Sequence, residues 1–159
     1  MNIFILDLDP KLCAMYHCDK HVIKMILEHA QMLCTAHNLS GSTTPYKTTH
    51  KNHPCSIWVR ESLENYNWLV EMTHYLNEEY KSRYNKKVNH KSYDLLLSLK
   101  KPDFLPKIGI TTIALAMPDK YKIENNPVES YRNYYIGEKQ AFATWKNFNT
   151  HPDWFKNIL

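Results

Sequence analysis

The stretch CDKHVIKMILEHAQML, residues 18–33, decides how the rest of the chain is read. On a wheel of about 100° per residue, Leu12, Met15, Ile23, Ile26, Ala30 and Leu33 share one face, widened by Cys18, Val22, Met25 and Met32. What remains is a narrow polar strip of His17, His21, Lys24, Glu28 and Gln31, with Lys20 beside it. Its steps of four, three, four and three residues keep these side chains in line. The strip is either a solvated face, with Lys24 paired to Glu28, or the wall of a cleft. Two features favour the cleft. The apolar arc is wider than a surface helix needs, and Asp19 falls inside it, where a carboxylate requires a cation or several N–H donors.

Working outward, Asp9 and Pro10 form a cap and first helical position, so this helix is predicted from there to about Ala36, ended by NLSGS (38–42). NIFILDL (2–8) reads as a short strand or an extended lead-in. Pro54 opens a second long helix carrying SIWVRESLENYNWLVEMTHYLNEEYKSRY, with Trp58, Leu69, Met72 and Leu76 at helical spacing. A shorter helix is predicted over His90–Leu99, and ITTIALAM (110–117) fits a buried helix or a strand. Asn126, Pro127 and Glu129 start a last helix carrying SYRNYYIGEKQAFATWKNF. The expectation is a mainly α protein: one helical domain over residues 1–159 with three to four principal helices.

Composition narrows the function classes. No run of about 18 apolar residues exists, and MNIFILDLDP lacks the features of a signal peptide, so a cytoplasmic protein off the membrane is expected. Cys13, Cys18, Cys34 and Cys55 form no C-x-x-C pair and read as reduced thiols. With only Gly41, Gly109 and Gly137, no dinucleotide or P-loop glycine motif can be written. The net charge of +4 is compatible with a polyanion.

Two further stretches carry chemistry. In THKNHPCSIWVRES (49–62), His50, Asn52 and His53 precede a helix N-terminus, a place suited to phosphate, and Arg60 and Asn65 follow on the helix. The same residues equally make a cap and a turn. His17 and His21 have H-x-x-x-H spacing, and His50, His53 and Cys55 could complete a zinc site; no Glu follows the first histidine as in metalloprotease helices, so neither metal nor cofactor is expected. In ESYRNYYIGEKQAFATW (129–145), Tyr131, Tyr135 and Lys139 recur every four residues, flanked by Arg132 and Tyr134. Interleaved aromatic and basic groups can stack a base and hold a phosphate, and they also suit plain amphipathic packing. Trp58, Tyr131 and Tyr135 are the base-stacking candidates.

Taken together, DLDPKLCAMYHCDKHVIKMILEHAQML, NHPCSIWVRES, AMPDKY and SYRNYYIGEKQAFATW resemble short, mostly phage-encoded pyrimidine dimer DNA glycosylase-like proteins. The resemblance implies an all-helical, endonuclease V-like fold and DNA as partner. It also implies kinship with thymine-hypermodifying enzymes, in which an amine displaces pyrophosphate from an activated 5-methyl group. In the dimer glycosylases the nucleophile is an α-amine on a small residue exposed by methionine removal. Here Asn2 follows Met1, a context in which methionine is normally retained, and Glu28 is the nearest counterpart of the catalytic glutamate.

The reading that follows is an enzyme acting on a DNA pyrimidine, modifying it with an amino acid or amine co-substrate rather than excising it. Asp19 or Glu28 would be the general base, with His21 and Lys24 completing the catalytic group. His17, Gln31, His50, Asn52, His53, Arg60, Asn65, Arg132 and Lys139 would hold phosphate or substrate. The alternative is a damaged-base glycosylase, with or without lyase activity. A non-catalytic nucleic-acid- or host-protein-binding protein is the third reading, in which Asp19→Asn and Glu28→Gln would change nothing.

Overall fold

A computed structural model describes residues 1–148 and 151–155. As expected, the protein is all-helical: six α-helices and one 3₁₀ turn, with no strand among the described residues. The helices are α1 (Pro10–Tyr16), α2 (Asp19–Leu39), α3 (Pro54–Val59), α4 (Leu63–Arg83), α5 (Lys91–Leu97) and α6 (Pro127–Glu138), with the 3₁₀ turn at Asp119–Tyr121. The two 21-residue helices α2 and α4 pack together, and α1, α3 and α5 pack around them. The buried apolar side chains form one connected cluster. No described helix is long and apolar enough to cross a membrane.

The predicted first helix is in fact two. It breaks at His17 and Cys18, whose backbones are extended. No proline or glycine marks the break; long-range partners impose it. The Arg83 guanidinium, arriving from the end of α4, donates to the carbonyls of Met15 and His17 and so caps α1. The same guanidinium pairs with Asp19 at 3.2 Å and Glu79 at 3.0 Å. Asp19 also accepts from Thr144 Oγ1 and the Lys146 backbone N–H, and its own N–H donates to the Thr144 carbonyl. A buried cation thus satisfies helix-end carbonyls and a carboxylate together, which offsets the lost intrahelical bonds.

The second predicted helix also divides, into α3 and α4. Ser62 caps α4 by accepting from the Asn65 N–H, and the Asn65 side chain donates to the Trp58 carbonyl and to Thr111. Residues 110–117 are neither helix nor strand. Their backbone is held by side chains: Asn65 accepts from the Thr111 N–H, Tyr131 donates to the Ala114 carbonyl, and Asn2 donates to the Ala116 carbonyl.

The N-terminal segment is an extended lead-in rather than a strand. Ile3, Phe4, Ile5 and Leu6 are buried. Asn2 Oδ1 accepts from the Ile3 and Phe4 N–H groups, Cys13 Sγ bonds the Phe4 carbonyl, and Arg132 donates to the Leu6 carbonyl. Side chains therefore do the work of a neighbouring strand in satisfying buried backbone groups. Phe4 has φ of 52°, a left-handed turn that puts its ring against α2 and α6. Helix α6 stops at Glu138 instead of running to Phe148. Gly137, just before that end, lets the Tyr121 ring lie where a Cβ would otherwise sit.

Candidate active site at the chain start

One pocket gathers the polar residues of α2. It is lined by Met1, Asn2, Phe4, His21, Lys24, Met25, Glu28, Tyr134 and Lys139, with a cavity of about 140 Å³. The lead-in segment forms its floor, α2 one wall, and the end of α6 the other. The Met1 α-ammonium pairs with Glu28 Oε1 at 3.1 Å, while Glu28 Oε2 is buried without a hydrogen-bond partner among the described residues. Glu28 thus keeps one oxygen free beside an amine. The His21 ring stacks on Phe4, with centroids 4.6 Å apart and planes 18° apart. Its Nδ1 bonds the Tyr135 hydroxyl behind the wall. Burial, reinforced by His17, Lys139, Lys24 and Lys20, holds the His21 pKa down at about 3, so its ring is neutral. Lys139 Nζ lies 4.9 Å from the Tyr134 ring centroid and 5.6 Å from that of Phe4, leaving a cation at the rim.

Of the residues picked from sequence, His21, Lys24, Glu28 and Lys139 come together here. The others do not. Asp19 stands outside the pocket as the anion of the Arg83 network, with both oxygens occupied, so it is no general base as it stands. His17 is fully buried; Nδ1 donates to the Cys13 carbonyl, and burial lowers its pKa to about 4. Gln31 is half-buried and away from the lining. Ile23, placed on the core face by the wheel, is exposed.

The loop before α3 is organised as a helix cap, away from the pocket. His53 accepts from the Cys55 N–H and fills the cap of a six-residue helix. His50 bonds its neighbour Thr49, Asn52 is exposed, and Arg60 is tied to the Ser56 and Lys51 carbonyls. Asn65 is buried in the α3–α4 junction. Trp58, Tyr131 and Tyr135 are core residues with no face for a base. Arg132 bridges the Leu6 carbonyl and Asp7. Among the described residues no three His, Cys, Asp or Glu side chains cluster as metal ligands do.

Sequence reasoning missed the Met1 amine, Asn2 and Phe4 as site-forming groups. The positioning signal was present in the polar Asn2 ahead of an apolar run, but an apolar run alone does not reveal that it passes beneath α2.

The role of Asp19 gives a direct prediction. Asp19→Ala should cost about 3 kcal/mol of unfolding free energy, because it leaves the buried Arg83 charge short of a partner. Urea unfolding measures this; a cost under about 0.5 kcal/mol would refute the network's role.

A family model for pyrimidine dimer DNA glycosylase matches residues 1–92. No curated protein and no solved structure gives a match. The matched segment holds Met1, Asn2, Phe4, His21, Lys24, Met25 and Glu28, leaving Tyr134 and Lys139 to come from α6.

Proposed function

The chain belongs to the pyrimidine dimer DNA glycosylase family, which makes DNA its substrate class, and from that premise we propose that it excises a damaged pyrimidine, with the Met1 α-amine as nucleophile and Glu28 as its acid–base partner. The observation that carries this reading is the Met1–Glu28 pair at 3.1 Å inside a polar pocket. The sequence departs from the dimer-glycosylase pattern of an amine on a small residue exposed by methionine removal, and the amine beside Glu28 is that of Met1. Methionine retention does not remove the amine; it places that amine on Met1.

The chemistry follows from the geometry. Glu28 takes a proton from the ammonium. The free amine attacks C1′ of the deoxyribose as the N-glycosidic bond breaks and its electron pair leaves on the pyrimidine. Glu28 passes that proton to the departing base; it then takes a second proton from the nitrogen, now charged by the attack, and gives it to the ring oxygen as the sugar opens, which leaves a protonated imine between the amine and C1′. Lys24 and Lys139 at the rim supply charge for the DNA backbone, and reaching C1′ of a paired nucleotide requires flipping it out.

The same two lysines favour a second reading. A departing pyrophosphate needs positive charge where negative charge develops, so Lys24 and Lys139 suit a transferase that replaces pyrophosphate on an activated 5-hydroxymethyl pyrimidine with an amine. Glu28 would then deprotonate the incoming amine. This reading assigns no task to the Met1 amine.

One experiment separates them. The protein is incubated with ultraviolet-irradiated DNA, and in parallel with DNA bearing pyrophosphorylated 5-hydroxymethyluracil and mixed amines, and products are read by mass spectrometry. Cleavage of one N-glycosidic bond of a dimer, with the freed pyrimidine still joined to its neighbour, plus a borohydride-trapped DNA adduct on residue 1, is expected. Addition of Gly-Ser ahead of Met1 should abolish both. A heavier nucleoside with loss of pyrophosphate, or undiminished excision by the extended chain, would defeat the amine mechanism.

A further inference from the structure

We propose that Tyr135 locks His21 in its neutral Nε2–H tautomer, so that the pocket offers a fixed, uncharged N–H donor to a carbonyl oxygen of the bound pyrimidine. The tautomer stands on hydrogen-bond geometry alone; its use on a pyrimidine rests on the function proposed above.

The Tyr135 oxygen accepts from the Cys18 backbone N–H at 3.3 Å, so its one hydrogen is free to be donated elsewhere. Two acceptors are in reach: His21 Nδ1 at 2.5 Å and Cys18 Sγ at 3.7 Å. A thiol sulfur is a weak acceptor and an imidazole nitrogen a strong one. The phenol hydrogen therefore goes to Nδ1. A neutral ring that accepts at Nδ1 carries its own proton on Nε2.

The surroundings oppose the alternative of a doubly protonated ring. His21 is buried, and the cations nearest to it are Lys20 and Lys24 on its own helix and Lys139 from the end of α6, with His17 beneath. Glu28 shares the pocket but is engaged by the Met1 ammonium. The ring cannot readily turn: Phe4 stacks on one face, and Tyr135 and Phe142 meet it edge-on. Among the described residues Nε2 makes no hydrogen bond, yet it is not one of the sealed-off nitrogens, as those of His17 and His29 are. It is the polar edge of His21 left for a ligand in the pocket that this ring lines.

The other two buried histidines show the contrast. His17 Nδ1 faces the Cys13 carbonyl, which can only accept. His29 Nδ1 faces Thr73, whose hydroxyl already donates to the Leu69 carbonyl. Both rings must therefore carry the proton on Nδ1. His21 is set the opposite way because its partner is a phenol with a hydrogen to give.

The consequence is chemical. A pyrimidine leaving from C1′ takes the bond pair with it, and the charge spreads onto its ring carbonyl oxygens. A neutral N–H donor stabilises that charge with no proton transferred and without placing a second cation against the Met1 ammonium. Tyr135 is a positioning residue, acting through His21.

The test uses the full chain labelled with ¹⁵N-histidine and two-bond ¹H–¹⁵N correlation at pH 7. The expected result is an unprotonated-type Nδ1 and a protonated-type Nε2 for His21, with His17 and His29 reversed. In Tyr135→Phe the His21 pattern should shift toward a mixture of tautomers. A wild-type His21 protonated at Nδ1 overturns the proposal, as does an unchanged tautomer in Tyr135→Phe. In glycosidic-cleavage assays His21→Phe should lower kcat by about 10²-fold with KM little changed, and Tyr135→Phe should lower it less, in proportion to the lost tautomer. If no DNA loses a glycosidic bond, the functional reading falls, while the nitrogen spectra still decide the tautomer.

Discussion

Glu28→Gln is expected to lower glycosidic cleavage by about 10³-fold while the protein stays folded. The substitution keeps the shape of the side chain and an acceptor oxygen for the Met1 ammonium, so the chain start should remain docked. What it removes is the ability to take the ammonium proton and return it. It also replaces Oε2, which is buried with no hydrogen-bond partner among the described residues, by an amide that cannot accept a proton. Single-turnover kinetics on irradiated DNA, with circular dichroism to confirm the fold, measures this. A rate within threefold of wild type would remove Glu28 from the chemistry and leave the protein as a DNA binder. A loss of nucleoside enlargement rather than of glycosidic cleavage would assign Glu28 to the transferase instead. The variant thus tests the residue, and its product tests the reaction.

The parts of the fold legible in sequence are those fixed by local chemistry. Asp9 and Pro10, Pro54, and Asn126 with Pro127 each start a helix where they were expected to, because capping depends on residues within one turn. The break at His17–Cys18 was hidden because its cause is distant, whereas the one at Arg60–Ser62 carries a local signal, the Ser62 cap, that the apolar spacing across it concealed. Arg83 interrupts the first helix from 66 residues away, and Asn65 pins the α3 end while holding the 110–117 segment. The same division explains the site. The polar strip was read as a cleft wall, and His21, Lys24 and Glu28 do line a pocket, because helical spacing is local. Asp19 was rightly seen as anomalous among apolar neighbours, but its cation comes from the far end of α4, which makes it structural. The tyrosines of α6 were read as stacking groups; their spacing faces the core, and only Tyr134 and Lys139, one step round the helix, reach the pocket. The Met1 amine could not be foreseen from spacing at all, since the lead-in segment has no periodicity that fixes its direction.

Acid should unfold this protein steeply, and three histidines set the window. His17, His21 and His29 are buried as neutral rings, and burial is the first cause of the lowered pKa in each. His17 falls from 6.5 to about 4 and His21 from 6.5 to about 3, and His29 is also pushed well down. Below pH 6.5 the unfolded chain binds protons at these rings while the folded chain does not. Their contribution to stability is therefore complete above pH 6.5 and is lost as pH falls through the interval down to about 4, where His17 itself begins to titrate in the folded state. Each such ring costs about 1.4 kcal/mol per pH unit once its unfolded form is protonated. Three acting together approach about 4 kcal/mol per pH unit, enough to consume the whole of an ordinary domain's stability within two to three units. The tautomers explain why no relief is available. Protonating His17 or His29 would add a hydrogen at an Nε2 that is sealed from solvent with no hydrogen-bond partner among the described residues, so the charge would be buried unsatisfied. Urea unfolding between pH 7.5 and 4.5 should show a flat region above 6.5 and a steep loss below it. His29→Gln should lower overall stability but reduce the slope by about 1.4 kcal/mol per pH unit. A stability that is level from pH 7 to 5 would mean that these rings meet protons as easily in the folded chain as in the unfolded one.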